Sequence, residues 1–273
     1  MKVEIVPEKK IVGINSSNIM MFNWIENTDV LSCSEELLSR LSLNVDKVTF
    51  GINDKSYSGS YSRLKRVVAE NTESDLEFFD FKVSSKETSK DSFYPHQAFC
   101  AYVKKLKCKR FLFSFSEESL EVNKETVIDI YKQNLEKFGL FYGAFFSFPT
   151  SYGPDYYFSS INTMPSGVSF ADNREYRKRL DNWKENFQSR NINPTHGFFR
   201  DLYEYNFITM SHLGKRINGK LIHEIALENG ELIELDAVNQ QYLWVLQGES
   251  LDKMRQLFEP SGFILSSNFP VKV

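Results

Sequence analysis

The sequence predicts an α+β protein: mainly antiparallel sheets with helices on one face, built from repeated strand–helix–strand units of ferredoxin-like character. Three observations point there. Apolar periodicity switches between 2 and 3.6 residues three times along the chain. The Arg110–Phe115 run places an aromatic residue at every second position, as a strand does. Residues 123–138 place Val127, Ile130, Tyr131, Leu135 and Phe138 at helical spacing.

In the first unit, Val48–Ile52 reads as a strand, Tyr61–Glu70 as a helix and Leu76–Phe81 as a second strand. In the second, the strand at Arg110 is followed by a helix with Asn123 as N-cap and Gly139 as the terminating residue. Leu140–Phe148, LFYGAFFSF, reads as a buried strand. The third unit closes the chain: a strand at Tyr242–Leu246, paired in a hairpin with Leu232–Leu235, then a helix capped by Ser250. That helix stops at Pro260–Gly262, and Phe263–Leu265 is expected as a last strand. Between units two and three lie a turn-rich loop at 149–155, a short strand at Tyr156–Ile161, a helix at Asp172–Phe187 and a loop at Asn191–Gly197. No long Ser/Gly linker interrupts the chain, so residues 1–273 are expected to form one compact domain with sub-layers at 1–150 and 151–273.

The composition bounds the function. Lys+Arg is 33 and Asp+Glu is 36, a formal net charge of −3, which gives no whole-protein attraction to nucleic acid. No apolar run approaches the roughly 20 residues needed to span a bilayer. Met1–Lys10 lacks the apolar core of a secretory signal, so a cytoplasmic location is expected, with no membrane partner. Three cysteines, Cys33, Cys100 and Cys108, without a CxxC pair, read as free thiols. The unusual count is 24 Phe with 13 Tyr. Much of it falls in predicted strands. The remainder gathers at Tyr152, Tyr156, Tyr157 and Phe158 and at Phe198, Phe199, Tyr203, Tyr205 and Phe207, marking the middle of the chain as a groove or partner surface.

Catalytic patterns are sparse. The four histidines, His96, His196, His212 and His223, lack metal-ligand spacing. Gly59-Ser60-Tyr61 lacks the second glycine of a nucleophile elbow, and phosphate-binding glycine loops are missing. Asp155 with Glu175-Tyr-Arg177 imitates a metal-dependent nuclease set, but Arg is a poor proton acceptor. Neither a cofactor nor a metal is expected. The alternative, a hydrolase or nuclease, would rest on Asp155, Glu175 and His196 or His212. A structural subunit of a phage-like or secretion assembly is a third reading.

Charge blocks suggest binding instead. Glu70–Asp80 carries Glu73, Asp75 and Glu77 without a base, and Glu228–Asp236 carries Glu231 and Glu234. Such blocks suit a basic protein partner. The opposite block, Lys104, Lys105, Lys107, Lys109 and Arg110, lacks the interleaved aromatics of a nucleic-acid module. Arg200, Asp201, Tyr203 and Asn206 stand among aromatics, either as a recognition surface or as pins that hold a loop. With Tyr156 and Tyr157, these residues and the acidic blocks form the candidate partner surface.

Phe141–Pro149, Arg200–Ile208 and Gly262–Leu265 together resemble cytoplasmic immunity proteins of bacterial polymorphic toxin and type VI secretion systems. The likeness is one of size, element order and texture from about residue 45 onward. It implies a non-enzymatic inhibitor of a cognate toxin, bound by direct protein–protein contact; a basic toxin, such as a nuclease, is the expected partner.

Overall fold

The computed structural model describes residues 17–25, 30–45, 47–71, 76–83, 96–103, 108–116, 122–136, 140–148, 174–190, 192 and 196–271. They fall into two compact units. One holds described residues between 17 and 136, the other Leu140–Phe146 and residues from 174 onward. Strands and helices combine as an α+β fold, and the strand pairings described within each unit are antiparallel.

The N-terminal unit contains strands β1 (Ser17–Ile25), β2 (Lys47–Ile52), β3 (Lys55–Gly59), β4 (Leu76–Val83), β5 (His96–Val103) and β6 (Cys108–Ser116). Their spatial order is β1-β6-β5-β4-β2-β3. Alternation puts residues i and i+2 on one face. Phe79 and Phe81 therefore share a face and stack at 4.5 Å, and Phe113 and Phe115 lie 5.9 Å apart. With Val48 and Phe50 they are buried.

Among the described residues, three helices belong to this unit: α1 (Val30–Arg40), α2 (Tyr61–Glu70) and α3 (Lys124–Ile130). Ser60 caps α2 by accepting from the Arg63 amide. Asn123 caps α3 through the Thr126 amide at 2.9 Å, as its position before the apolar periodicity predicts. The helix then widens into a π-turn at Tyr131–Leu135. Gly139 lies outside the described residues.

The sequence shows α2 and its flanking strands, but β1, α1, β3 and β5 were not anticipated. β3 is the return of a two-residue hairpin at Asn53-Asp54, both at positive φ. β2 then pairs directly with β4. Cys100 and Cys108 sit on adjacent strands but face other partners: Cys100 lies opposite Phe111, and Cys108 opposite Val103.

The C-terminal unit has the strand order β11-β12-β8-β7, where β7 is Leu140–Phe148, β8 Tyr205–Thr209, β11 Glu231–Asp236 and β12 Gln241–Val245. The predicted hairpin is present, with Glu234 opposite Tyr242. A two-stranded ribbon, β9 (Arg216–Ile217) with β10 (Lys220–Leu221), stands apart. The helices are α4 (Arg174–Lys184), continued by a π-turn at Glu185–Ser189, α5 (Met210–Leu213), α6 (Ile222–Glu228) and α7 (Glu249–Phe258). In α4, Leu180 and Trp183 are buried, and Phe187 in the π-turn joins them, stacking on Trp183 at 4.5 Å.

Two expectations are corrected here. Ser250 lies inside α7 and does not cap it. The cap is Gly248, whose carbonyl accepts from Leu251. Phe263–Leu265 is not a strand of the sheet. After the left-handed Gly262 it makes one parallel bridge, Ile264 to Phe199, because its backbone bonds go to the 199–200 segment.

Candidate functional site

The segment Phe198–Asn206 is where the sequence concentrates polar groups among aromatics, and the structure turns those groups inward. Phe198, Phe199, Tyr203, Tyr205 and Phe207 are all buried. This aromatic set is core, not an open groove, because β8 lies between β12 and β7 and is covered on both sides of the strand. Tyr152, Tyr156, Tyr157 and Phe158 lie outside the described residues.

Asn206 is fully buried and closes the turn before β8. Its Oδ1 accepts from the Tyr203 amide at 3.0 Å, and its Nδ2 donates to the Tyr203 carbonyl at 2.7 Å and to the Trp244 carbonyl at 3.3 Å. Tyr203 stacks on Phe146 at 4.2 Å. Arg200 is 1% exposed, and its guanidinium carbon lies 4.8 Å from the centre of the Trp183 ring. These side chains act as internal pins, which is the second of the two roles their sequence pattern allows.

Asp201 is the hub of a charged cluster. Arg179 of α4 donates to its Oδ2 at 2.8 Å and also pairs with Glu259. Arg255 of α7 reaches Asp201 Oδ1 at 3.9 Å and donates to the Leu202 carbonyl at 2.8 Å. Burial works against the Arg179 charge, but Asp201 and Glu259 outweigh it and hold the guanidinium protonated. Nearby, burial raises the Glu204 carboxyl above its usual range, against the pull of its own backbone amide and of Arg255.

The same cluster fixes the end of the chain. Asn182 donates to the Ser267 carbonyl at 2.8 Å, and Asn186 to the Leu265 carbonyl at 2.8 Å. Ser267 Oγ donates to Glu259 at 2.5 Å. Charges, amides and hydroxyls therefore cross-link α4, the 199–202 segment and residues 259–268. Sequence reading singled out Asp201 but missed Arg179 and Glu259. Arg179 lies 22 residues before Asp201 and 80 before Glu259, which leaves no local pattern.

The acidic candidates divide. Glu73 and Asp75 lie outside the described residues, and Glu77 is half-buried on β4. Glu231 and Glu234 are exposed on β11, the edge strand of the C-terminal unit's sheet. Lys104, Lys105 and Lys107 lie outside the described residues, whereas Lys109 and Arg110 fall within β6. Of the alternative catalytic set, Asp155 is outside the described residues, Glu175 is on α4, His196 is exposed in a turn and His212 is buried. Among the described residues, no group of three or more His, Cys, Asp or Glu side chains is placed to hold a metal ion. Among the same residues, no helix is long and apolar enough to cross a membrane.

No family model matches the chain, and no curated protein matches it in sequence. Among solved structures it is similar to the Pseudomonas aeruginosa T6SS protein PA0821, at 11% identity and a TM-score of 0.47. The match covers 84% of this chain and 64% of that one, so the chain spans less than two thirds of that protein's length.

Proposed function

We propose that this chain is a cytoplasmic binding protein of the immunity type, which neutralises a cognate bacterial toxin by direct contact and without catalysis. The observation that carries this reading is how the C-terminal unit distributes its charge. The charged groups Asp201, Arg179, Arg255 and Glu259 are committed to cross-linking the unit. The acidic residues Glu231 and Glu234 stand exposed on an edge strand. A rigid scaffold with an exposed charged strand suits recognition of a basic protein surface, because complementary charge speeds encounter and fixes register.

The test is complex formation. The purified chain is titrated against the purified toxin encoded beside its gene, with binding read by calorimetry. A saturable complex at defined stoichiometry supports the reading. No heat and no co-elution at micromolar concentrations would remove it.

A further inference from the structure

His212 is a buried titratable group that the binding proposal does not use. Its ring is inaccessible to solvent. It stacks on Tyr142 at 5.6 Å and meets Phe199 edge-on at 4.9 Å. Nδ1 accepts from the Thr209 amide at 3.3 Å, the amide that opens α5. The Thr209 and Ser211 hydroxyls also lie within 3.4 Å of it. An accepting Nδ1 puts the proton of the neutral ring on Nε2.

Both aromatic neighbours of the ring also hold the segment that carries Asp201. The Tyr142 hydroxyl accepts from the Arg200 amide at 3.0 Å and donates to the Asp201 carbonyl at 3.3 Å. The Phe199 amide donates to Phe263, and its carbonyl accepts from Leu265. Shifting the ring therefore disturbs the supports of residues 199–202.

We propose that His212 makes the C-terminal unit acid-labile: a proton on its ring breaks the start of α5 and loosens the Phe198–Leu202 segment. A second ring proton would sit on Nδ1; the Thr209 and Ser211 hydroxyls can accept it, but the Thr209 amide that opens α5 loses its acceptor. The charge would also lie in an aromatic pocket without a counter-ion among the described residues. The groups facing it bear this out. Lys215, just after α5, is cationic and opposes it. From β7 the facing group is the Tyr142 phenol, already committed to residues 200 and 201. The Phe198–Leu202 segment carries two charged side chains, and both are engaged elsewhere: Arg200 over the Trp183 ring and Asp201 with Arg179. α6, packed against α5, carries His223 and Glu224, and Glu224 accepts from the Leu221 amide. Through Phe199, α7 contributes the apolar Phe258. Burial, reinforced by Lys215, lowers the ring from 6.5 to about 3, and the backbone at Phe198 and Thr209 pulls the other way without offsetting it.

The sign follows from linkage. The unfolded ring takes a proton near pH 6.5, and the folded ring only near 3, so the unfolded state binds more protons in between. The stabilisation is complete above pH 6.5 and declines below it.

Chemical denaturation at pH 7.5 and 4.5 tests this on wild type, His212→Asn and His212→Phe. The first variant keeps an acceptor for Thr209, and the second keeps the stacked ring. Wild type should lose about 100-fold more of its folding constant than either variant between these pH values. Amide exchange across residues 198–215 should quicken in wild type alone. Equal losses in wild type and variants would overturn the proposal. If neither variant folds, an NMR titration of the wild-type ring decides: no titration down to pH 4.5 in the folded protein supports it, and a midpoint near 6.5 contradicts it.

Discussion

Arg179 and Asp201, 22 residues apart in sequence, meet at 2.8 Å with side-chain exposures of 20% and 11%. The pair ties α4 to the segment entering β8, and Glu259 on the same guanidinium adds the end of α7. Removing one partner of a largely buried pair leaves the other charged and desolvated. Arg179→Met should therefore cost about 3 kcal/mol in urea unfolding, near the lower end of the range for buried pairs because some solvent reaches the site. Lys65 pairs with Glu35 at the same 2.8 Å, but with exposures of 56% and 36%. Lys65→Met should cost less than about 1 kcal/mol. Similar losses at both sites would contradict the cross-linking role of Arg179.

A second prediction concerns Gly197, which precedes the buried segment. Its φ is +80°, and an added Cβ would lie 2.1 Å from the Ser211 carbonyl oxygen. Gly219 has a similar φ of +85° with open space around it. Gly219→Ala should cost about 1 kcal/mol, the conformational penalty alone. Gly197→Ala should cost at least about 3 kcal/mol, since backbone must move as well. Thermal unfolding of the two variants side by side separates strain from collision.

Asp236 governs the turn between β11 and β12. Its carboxylate accepts from the Asn239 amide at 3.0 Å, the Asn239 side chain at 2.5 Å and the Val238 amide at 2.8 Å. These bonds, the Asn239 amide foremost, lower its pKa below the usual Asp value. A depressed folded pKa means that its contribution is present above the unfolded value and is lost as pH falls through the folded one. Carboxyl NMR should give a midpoint below about 3.9, with faster exchange at Val238 and Asn239 as that midpoint is crossed. A midpoint at or above 3.9 would show that the turn does not hold the carboxylate.

The β11 edge gives a prediction for the proposed partner. Glu231→Lys combined with Glu234→Lys should slow association with a basic toxin by about tenfold at low salt, with the difference shrinking at about 0.5 M salt. Stopped-flow association rates at two ionic strengths measure this. Rates unchanged by the reversal would place the interface elsewhere.

Local signals were legible in the sequence, and long-range ones were not. Asn123 and Tyr61–Glu70 were readable because a cap and a helical face are written within a few neighbouring residues. The β11–β12 hairpin was readable because both strands lie close in sequence. β1 was missed: its partner β6 is about 90 residues away, and nothing in SNIMMFNWI announces that pairing. Ser250 misled because a serine before an apolar run matches a capping pattern, whereas the turn begins at Gly248. The aromatics at 198–207 looked available for a partner because sequence does not show that β8 is an inner strand. Arg200 and Asp201 carried two roles from the start, and only their burial separates inward pins from outward contacts.

The most direct test of the proposed function is the survival of cells expressing the toxin while the dose of this chain is varied. An inhibitor that acts by occupancy protects in proportion to its amount and saturates near one chain per toxin molecule. Protection that rises to a plateau at that ratio is the result expected. Full protection at a small fraction of that ratio would point to turnover, and no protection at any dose would contradict the immunity role.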